Sequence, residues 1–317
     1  MNQPLRQSFS SGADIVAANL VRLRSLAPML PLNRQKKVLR DMSGSHSSAL
    51  RGRGMDFAEV RQYQAGDDLR SMDWRVTART GQAHIKVFNE EKERPVLLVC
   101  DLRAGMQFGS RRALKKVLAA DLTALLAWAA LHNGDRIGAL LFNDAQELDL
   151  RPKPGRKSVL HLLNELTRLP ATSATSQPDR LAQMLRHLRR VARPGSRIYI
   201  ASDWAGYDHE CQQHLYSISR HCDVIALHIS DPLEQQLPPP GLYPLTDGQR
   251  RLLLDTASVS ARQTYQQAFQ QQLQQLREQL LQLQIPLLAL STADPDPLPA
   301  LRAGLGLGAA VSLPEVV

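Results

Sequence analysis

The hydrophobic pattern beyond residue 94 alternates between short apolar runs and longer amphipathic stretches. The apolar runs predict buried strands at 95–100, 136–142, 197–202, 222–229 and 286–290, with an edge strand at 147–150. Helical spacing between the runs predicts helices over 111–132, 157–169, 179–192 and 210–221. Because alternating strands and helices build parallel sheets covered on both faces, the pattern predicts an α/β fold with a doubly wound, mostly parallel sheet.

Two later segments add to this alternation. Asp247-Gly248 lies between the apolar residues of 242–254, which predicts a β-hairpin inserted on the sheet. From 260 to 283, apolar residues recur every three or four positions in a glutamine-rich stretch, which predicts a long amphipathic helix. We expect its apolar stripe to cover the sheet; a coiled-coil partner site is the alternative.

The first 90 residues are organised differently. Apolar residues at helical spacing predict an amphipathic helix over 14–30, which is followed by a basic cluster and a run of small, flexible residues. The basic cluster contains Arg34, Lys36, Lys37 and Arg40. We therefore divide the chain into residues 1–90, with a basic helix, a flexible loop and a charged segment, and residues 91–310, with the sheet and its hairpin.

Composition limits the function classes. The 317 residues carry a formal net charge of +9, which favours an acidic partner or simply keeps the protein soluble. The basic cluster lacks interleaved aromatic residues, so nucleic acid is not the favoured partner, although nucleic-acid or anionic-membrane binding through this segment stays an alternative. No apolar run reaches the length of a membrane span, which leaves peripheral membrane contact open. The three cysteines have no C-x-x-C spacing, which favours a reducing cytoplasm over a disulfide framework or zinc site.

Two carboxylates stand out at strand ends. Asp101 and Asp203 each follow a predicted buried strand, and the carboxyl ends of parallel strands meet at one edge of a sheet. Oxygen ligands at such an edge suit magnesium. No spacing indicates an activated nucleophile or a paired acid and base, so the sequence does not predict an enzyme.

These strands resemble those of the von Willebrand factor A-like fold, whose metal-ion-dependent adhesion site begins with D-x-S-x-S after the first strand. Here the pentapeptide runs from Asp101 to Gly105, and Arg103 and Gly105 stand at the two serine positions. A guanidinium is always charged and repels a nearby cation. The resemblance therefore leaves two possibilities: a degenerate magnesium site at Asp101 and Asp203, or an ion pair in which Arg103 neutralises one of them.

The charged segment 52–79 carries a more specific resemblance, to the bacterial family called domain of unknown function 58. The matching residues are Phe57, Arg61, Tyr63, Gly66, Asp67, Asp68, Arg70, Asp73, Trp74, Ala78 and Arg79. The resemblance implies a non-enzymatic adaptor or assembly factor, without a cofactor, that works with a MoxR-type AAA+ ATPase. A divalent-cation-dependent adhesion module is a further alternative.

The charges of this segment have two interpretations. Its arginines pair internally with neighbouring carboxylates and fix an irregular chain, or some of them face outward and dock a partner. In the second case Trp74 or Tyr63 would anchor the interface, since aromatic and arginine side chains dominate interface energetics.

Overall fold

The computed structural model describes residues 9–32, 55–64, 72–90, 94–169, 177, 179–246 and 251–307. The chain divides into two compact units. The smaller unit is 42–93, and the larger one comprises 1–41 and 94–317.

The N-terminal part of the larger unit is less regular than the predicted helix over 14–30. Helix α1 (Ala17–Arg22) is followed by a 3-10 helix over Leu23–Met29, which contains Pro28. Proline has no backbone N–H, so an α-helix that continues through position 28 to residue 30 is disfavoured. The segment is nevertheless well anchored, because Leu20 and Leu23 are buried and the Leu20 carbonyl accepts a hydrogen bond from Trp128 Nε1 at 3.0 Å.

The smaller unit contains an antiparallel pair that the sequence analysis did not predict. Strand β1 (Met55–Gln62) precedes helix α2 (Trp74–Thr80), and strand β2 (His84–Glu90) returns to pair with β1. The register shifts between Phe57 and Glu59. A bulge of this kind breaks the alternation of side chains along a strand, which explains why the pattern was not recognised.

The larger unit alternates strands and helices as predicted. In chain order its remaining elements are β3 (Pro95–Asp101), α3 (Lys115–His132), β4 (Arg136–Phe142), β5 (Glu147–Lys153), α4 (Arg156–Arg168), α5 (Arg180–Val191), β6 (Arg197–Ser202), α6 (His209–Ser219), β7 (Asp223–Ser230), α7 (Pro232–Gln235), β8 (Leu242–Thr246), β9 (Arg251–Asp255), α8 (Val259–Gln282), β10 (Leu287–Ser291) and α9 (Leu298–Gly304).

One six-stranded sheet organises this unit. Its strand order is β10-β7-β6-β3-β4-β5, with every pair parallel except the antiparallel edge pair of β4 and β5. The predicted α/β class and mostly parallel sheet are confirmed, and the hairpin β8–β9 forms at the predicted position. Apolar clusters lie on both faces of the sheet, one including α3 and α4 and the other including α5, α6 and the end of α8.

Helix α3 is the centre of the first cluster. It starts at Lys115, four residues later than predicted, and from Val117 to Ala130 every residue is buried. A helix that is apolar on all sides is one that is covered on all sides. Here the sheet lies on one flank, and α1 with its 3-10 extension lies on another.

Candidate functional site at the carboxyl edge of the sheet

The carboxyl edge of the sheet collects the acidic residues that follow its strands. Asp101 is the last residue of β3, Asp203 directly follows β6, and these two strands are neighbours. Arg103 contacts both carboxylates: its Nη2 lies 2.7 Å from Asp101 Oδ2 and 3.5 Å from Asp203 Oδ1. The structure therefore brings the two predicted aspartates together, with Arg103 between them.

Asp101 and Arg103 form a buried, multiply bonded ion pair. Arg103 Nε donates to the two carboxylate oxygens at 3.0 and 3.1 Å, and the backbone N–H of Arg103 donates to Oδ1 at 3.0 Å. Ser202 Oγ donates to Oδ2 at 2.6 Å. Asp101 is fully buried and Arg103 is 3% exposed, so this pair exists without competing water. Charge-assisted contacts of this geometry are among the strongest hydrogen bonds in proteins.

A second cation lies on the other side of Asp203. Lys115 Nζ donates to Asp203 Oδ2 at 2.9 Å and to Glu234 Oε1 at 2.6 Å, although the lysine is only 2% exposed. One ammonium thus serves two carboxylates and ties the start of α3 to the loop after β6 and to α7. We call Asp101, Arg103, Lys115, Asp203 and Glu234 the rim cluster.

The environment shifts the pKa values of both aspartates. Burial raises the pKa of Asp101, and the Arg103 guanidinium opposes that rise. Burial would also raise the pKa of Asp203, but Lys115 and Arg103 outweigh it and lower this pKa below its usual value. Four donors converge on Asp101, which makes it an acceptor in each of these contacts.

The rim cluster does not fit a divalent cation. The carboxylate oxygens of Asp101 and Asp203 that would ligate magnesium accept hydrogen bonds from Arg103, Ser202, Ala205 and Lys115. A metal would meet two fixed positive charges within ion-pair distance, and the hydroxyl ligands of an adhesion site are replaced by Arg103 and Gly105. Within the described ranges, no three His, Cys, Asp or Glu side chains group as a metal site. Of the two possibilities left by the sequence, the ion pair of Arg103 is the one observed.

Gly105 has a specific reason for lacking a side chain. A Cβ at this position would lie 2.9 Å from Asp203 Oδ2. The residue that replaces the second serine of the adhesion motif therefore leaves the room that Asp203 needs to reach Lys115.

The sequence analysis missed several residues of this edge. Lys115 and Glu234 are 119 positions apart, and no local pattern connects them. Asp231, which follows β7, was also missed; it accepts hydrogen bonds from Ser110 and Thr292 and caps α7 through the N–H of Leu233. Among these missed residues, Ser202 could have been found from the local sequence, since it directly precedes Asp203 at the strand end.

The described signature residues belong to the smaller unit. Asp73 caps α2 by accepting from the N–H groups of Arg75 and Val76, and Trp74 is 70% exposed. Arg61 and Tyr63 are partly buried, Phe57 lies in β1, and Arg79 is in the last turn of α2. Four signature residues lie outside the described residues, namely Gly66, Asp67, Asp68 and Arg70. The basic cluster at 34–40 also lies outside them.

Two further sequence expectations concern cysteines and membrane spans. All three cysteines are buried, and burial raises the pKa of Cys100 to about 12, which makes it an unreactive thiol. Among the helices that the structure describes, each is too short or too polar to cross a bilayer.

Fold and rim together define an α/β protein whose strand-end carboxylates are neutralised by its own buried cations. A family model described as "Protein of unknown function DUF58" matches residues 59–275. The chain belongs to this family, which confirms the resemblance seen in the charged segment.

Similar proteins and structures are the following. The uncharacterized protein Rv1480 of Mycobacterium tuberculosis and the uncharacterized protein Mb1516 of Mycobacterium bovis are each 31% identical over 228 residues, covering 72% of this chain and 71% of theirs. A conserved hypothetical protein BatB from Bacteroides thetaiotaomicron aligns with a TM-score of 0.38 at 12% identity, over 60% of this chain and 98% of that one. An aerotolerance-related membrane protein from Bacteroides fragilis aligns with a TM-score of 0.33 at 13% identity, over 56% of this chain and 88% of that one.

Proposed function

We propose that this protein is a non-enzymatic, cytoplasmic adaptor that docks a MoxR-type AAA+ ATPase during the assembly or activation of another protein complex. The family resemblance supplies the ATPase as partner, and the proposal includes a von Willebrand factor A-like identity for the sheet. The observation that carries it is the rim cluster. At the edge where sheets of this class bind ligands, Arg103 and Lys115 hold the carboxylates in internal ion pairs.

Docking through the smaller unit is supported by one residue above all. Trp74 is a large aromatic side chain that is 70% exposed, beside the exposed Arg75 on the same helix. Tryptophan and arginine are the residues most enriched among those that carry binding energy at interfaces. An exposed tryptophan of this kind supports the interpretation in which the charged segment contacts a partner.

Co-purification with the ATPase tests the proposal. The tagged protein is co-expressed with a MoxR-type ATPase from the same genome, and the complex is captured and quantified with ATP or ADP present. We expect Trp74→Ala to weaken capture about tenfold or more, as for a residue that anchors an interface. Tyr216→Ala is the matched control, because Tyr216 is also exposed, at 54%, but lies on α6 of the larger unit.

Both variants should keep the wild-type circular dichroism spectrum and melting temperature, since both side chains are exposed. If the wild-type protein captured no ATPase with ATP and none with ADP, the partnership would be refuted. Equal loss of capture in the two variants would refute the role of Trp74.

A further inference from the structure

An open cavity lies between α8 and the loop that follows β6. Its volume is about 710 Å³, within the range of ligand-binding sites. We call it the helix groove. Its walls include the carboxylates Asp203 and Glu234, the rings of Trp204, Tyr207, His228, Tyr265 and Phe269, and the amides of Gln272, Gln275 and Gln279.

The groove lies where the first half of the α8 stripe is not buried against the sheet. Leu276 and Leu280 are buried against the second apolar cluster, as the sequence analysis expected of the whole stripe. Tyr265 is 39% exposed, and together with Phe269 and Leu273 it lines the groove instead. The stripe is therefore buried against the sheet only in its second half, whereas the first half lines the groove, where Phe269 meets His228 of β7.

The groove wall is negatively charged at neutral pH. Within the described part of the chain, the lining residues include two carboxylates and no lysine or arginine. His228 also lines the groove, but burial lowers its pKa to about 4, so it is neutral. Lys115 pairs with both carboxylates and is itself almost inaccessible, while Arg103 is held by Asp101 and also lies 3.5 Å from Asp203. The rim cluster thus has two positive charges against three carboxylates, and the carboxylate that is more exposed to the groove is Glu234, at 29% against 11% for Asp203.

The same wall contains aromatic rings, two of which carry a buried ring nitrogen without a partner in the part of the chain that the structure describes. Trp204 and Tyr207 meet edge to face with their ring centres 6.0 Å apart, and His228 and Phe269 do so at 6.4 Å. Trp204 is 3% exposed and His228 is 7% exposed, yet Trp204 Nε1 and His228 Nδ1 have no hydrogen-bond partner among the described residues. Trp204 also has a positive φ of 60°, a conformation that non-glycine residues rarely adopt and that is found at binding sites.

We propose that the helix groove binds an arginine side chain carried by a partner polypeptide. Glu234, whose side chain is 29% exposed, lies beside these aromatic faces and suits a guanidinium, which pairs with a carboxylate and stacks on a ring. The volume exceeds what one side chain fills, and the glutamine amides can bond the flanking peptide backbone. This inference does not depend on the ATPase partnership proposed above, since docking of the ATPase is assigned to Trp74 of the smaller unit and the peptide is tested without an ATPase.

Two peptides that differ only in charge test it. Acetyl-Ala-Ala-Arg-Ala-Ala-amide and its citrulline counterpart, in which a neutral urea replaces the guanidinium, are titrated to about 5 mM, above the millimolar Kd expected for so few contacts. Binding is followed by the indole N–H signal of Trp204, one of three tryptophans, assigned with Trp204→Phe. We expect the arginine peptide to shift this signal and to bind at least about tenfold more tightly than the citrulline peptide.

Variants of the groove separate charge from fold. Glu234→Gln should remove most of the preference for arginine over citrulline, and Phe269→Leu, which keeps an apolar side chain without a π face, should weaken the arginine peptide. Glu278→Gln is the matched control, because Glu278 is an exposed carboxylate of α8 outside the groove. Phe269→Leu keeps the test valid if Glu234→Gln fails to fold.

Equal binding of the two peptides, or no shift of the Trp204 signal at the highest concentration, would overturn the proposal. So would a concentration-dependent dimer that Phe269→Leu abolishes and the arginine peptide does not displace, because the groove would then be filled by a second copy.

Discussion

Replacing Arg103 by methionine should destabilise the larger unit strongly. The change removes the guanidinium from a carboxylate that is fully buried and that keeps only the Ser202 hydroxyl and a backbone N–H as donors. Breaking a buried ion pair by removing one partner costs about 3–5 kcal/mol, because the remaining charge is left uncompensated. At a few degrees per kcal/mol for a protein of this size, the melting temperature should fall by about 10 °C.

The double variant Asp101→Asn with Arg103→Met isolates the electrostatic part of this loss. Neutral side chains of similar size often replace a buried ion pair with little cost, so we expect the double variant to be more stable than Arg103→Met alone. Urea unfolding of the wild type, the two single variants and the double variant gives the coupling energy, which should be at least about 2 kcal/mol. Arg186→Ala is the control, because Arg186 pairs with Glu210 at an exposed site and its loss should leave the midpoint near that of the wild type.

The pH dependence of the same variants provides a second signature. Burial raises the pKa of Asp101, and without Arg103 nothing comparable opposes that rise. A carboxyl whose folded pKa is raised is unfavourable when ionised, so its cost appears as the pH rises above the unfolded pKa of about 4. The gap between Arg103→Met and the double variant should therefore be small near pH 4 and largest at neutral pH. An Arg103→Met protein as stable as Arg186→Ala, or a gap that does not change with pH, would refute the assignment of Arg103 as the neutralising partner.

Three further predictions concern single side chains, each measured by urea or thermal unfolding. Burial raises the pKa of Asp121 to about 6, so the free energy of unfolding of the wild type should fall by at most about 3 kcal/mol between pH 4 and pH 7. Asp121→Asn should flatten that fall, and identical pH profiles of the variant and the wild type would contradict the prediction. Gly105→Ala should lower the midpoint by pushing a Cβ onto Asp203, and an unchanged midpoint would argue against that contact. Asp231→Ala should lower the free energy of unfolding by at least about 2 kcal/mol, because it removes the cap of α7 and the acceptor of Ser110. Asp231→Asn keeps an acceptor oxygen and should lose less; equal losses in the two variants would show that the acceptor does not account for the stability.

The sheet could be predicted because its strands are apolar at almost every position. A run such as 95–100 has few alternatives to a central strand buried on both faces, and the observed strand begins and ends within one residue of it. The edge strand at 147–150 was recognised for the opposite reason, because its polar residues alternate with apolar ones.

The failures have a common physical cause: a local pattern shows that a face is apolar but not what covers it. The stripe of α8 predicted packing on the sheet along its whole length, yet only Leu276 and Leu280 are fully buried. In β1 the shift of register after Phe57 broke the alternation that identifies a strand. The site followed the same rule. Asp101 and Asp203 were found from their places at strand ends, whereas Lys115 begins a mostly apolar helix and reaches Asp203 only through the fold.

The rim cluster and the helix groove share residues, and this makes their chemistry inseparable. Asp203 and Glu234 bind Lys115 on their buried side and line the groove on the other. Arg103 and Lys115 hold the three carboxylates of the rim cluster close together, but two positive charges do not balance three negative ones, so one negative charge remains beside the groove. The resemblance to the adhesion motif covers Asp101 and Asp203 but not Glu234, so the groove wall includes a carboxylate that this motif does not contain.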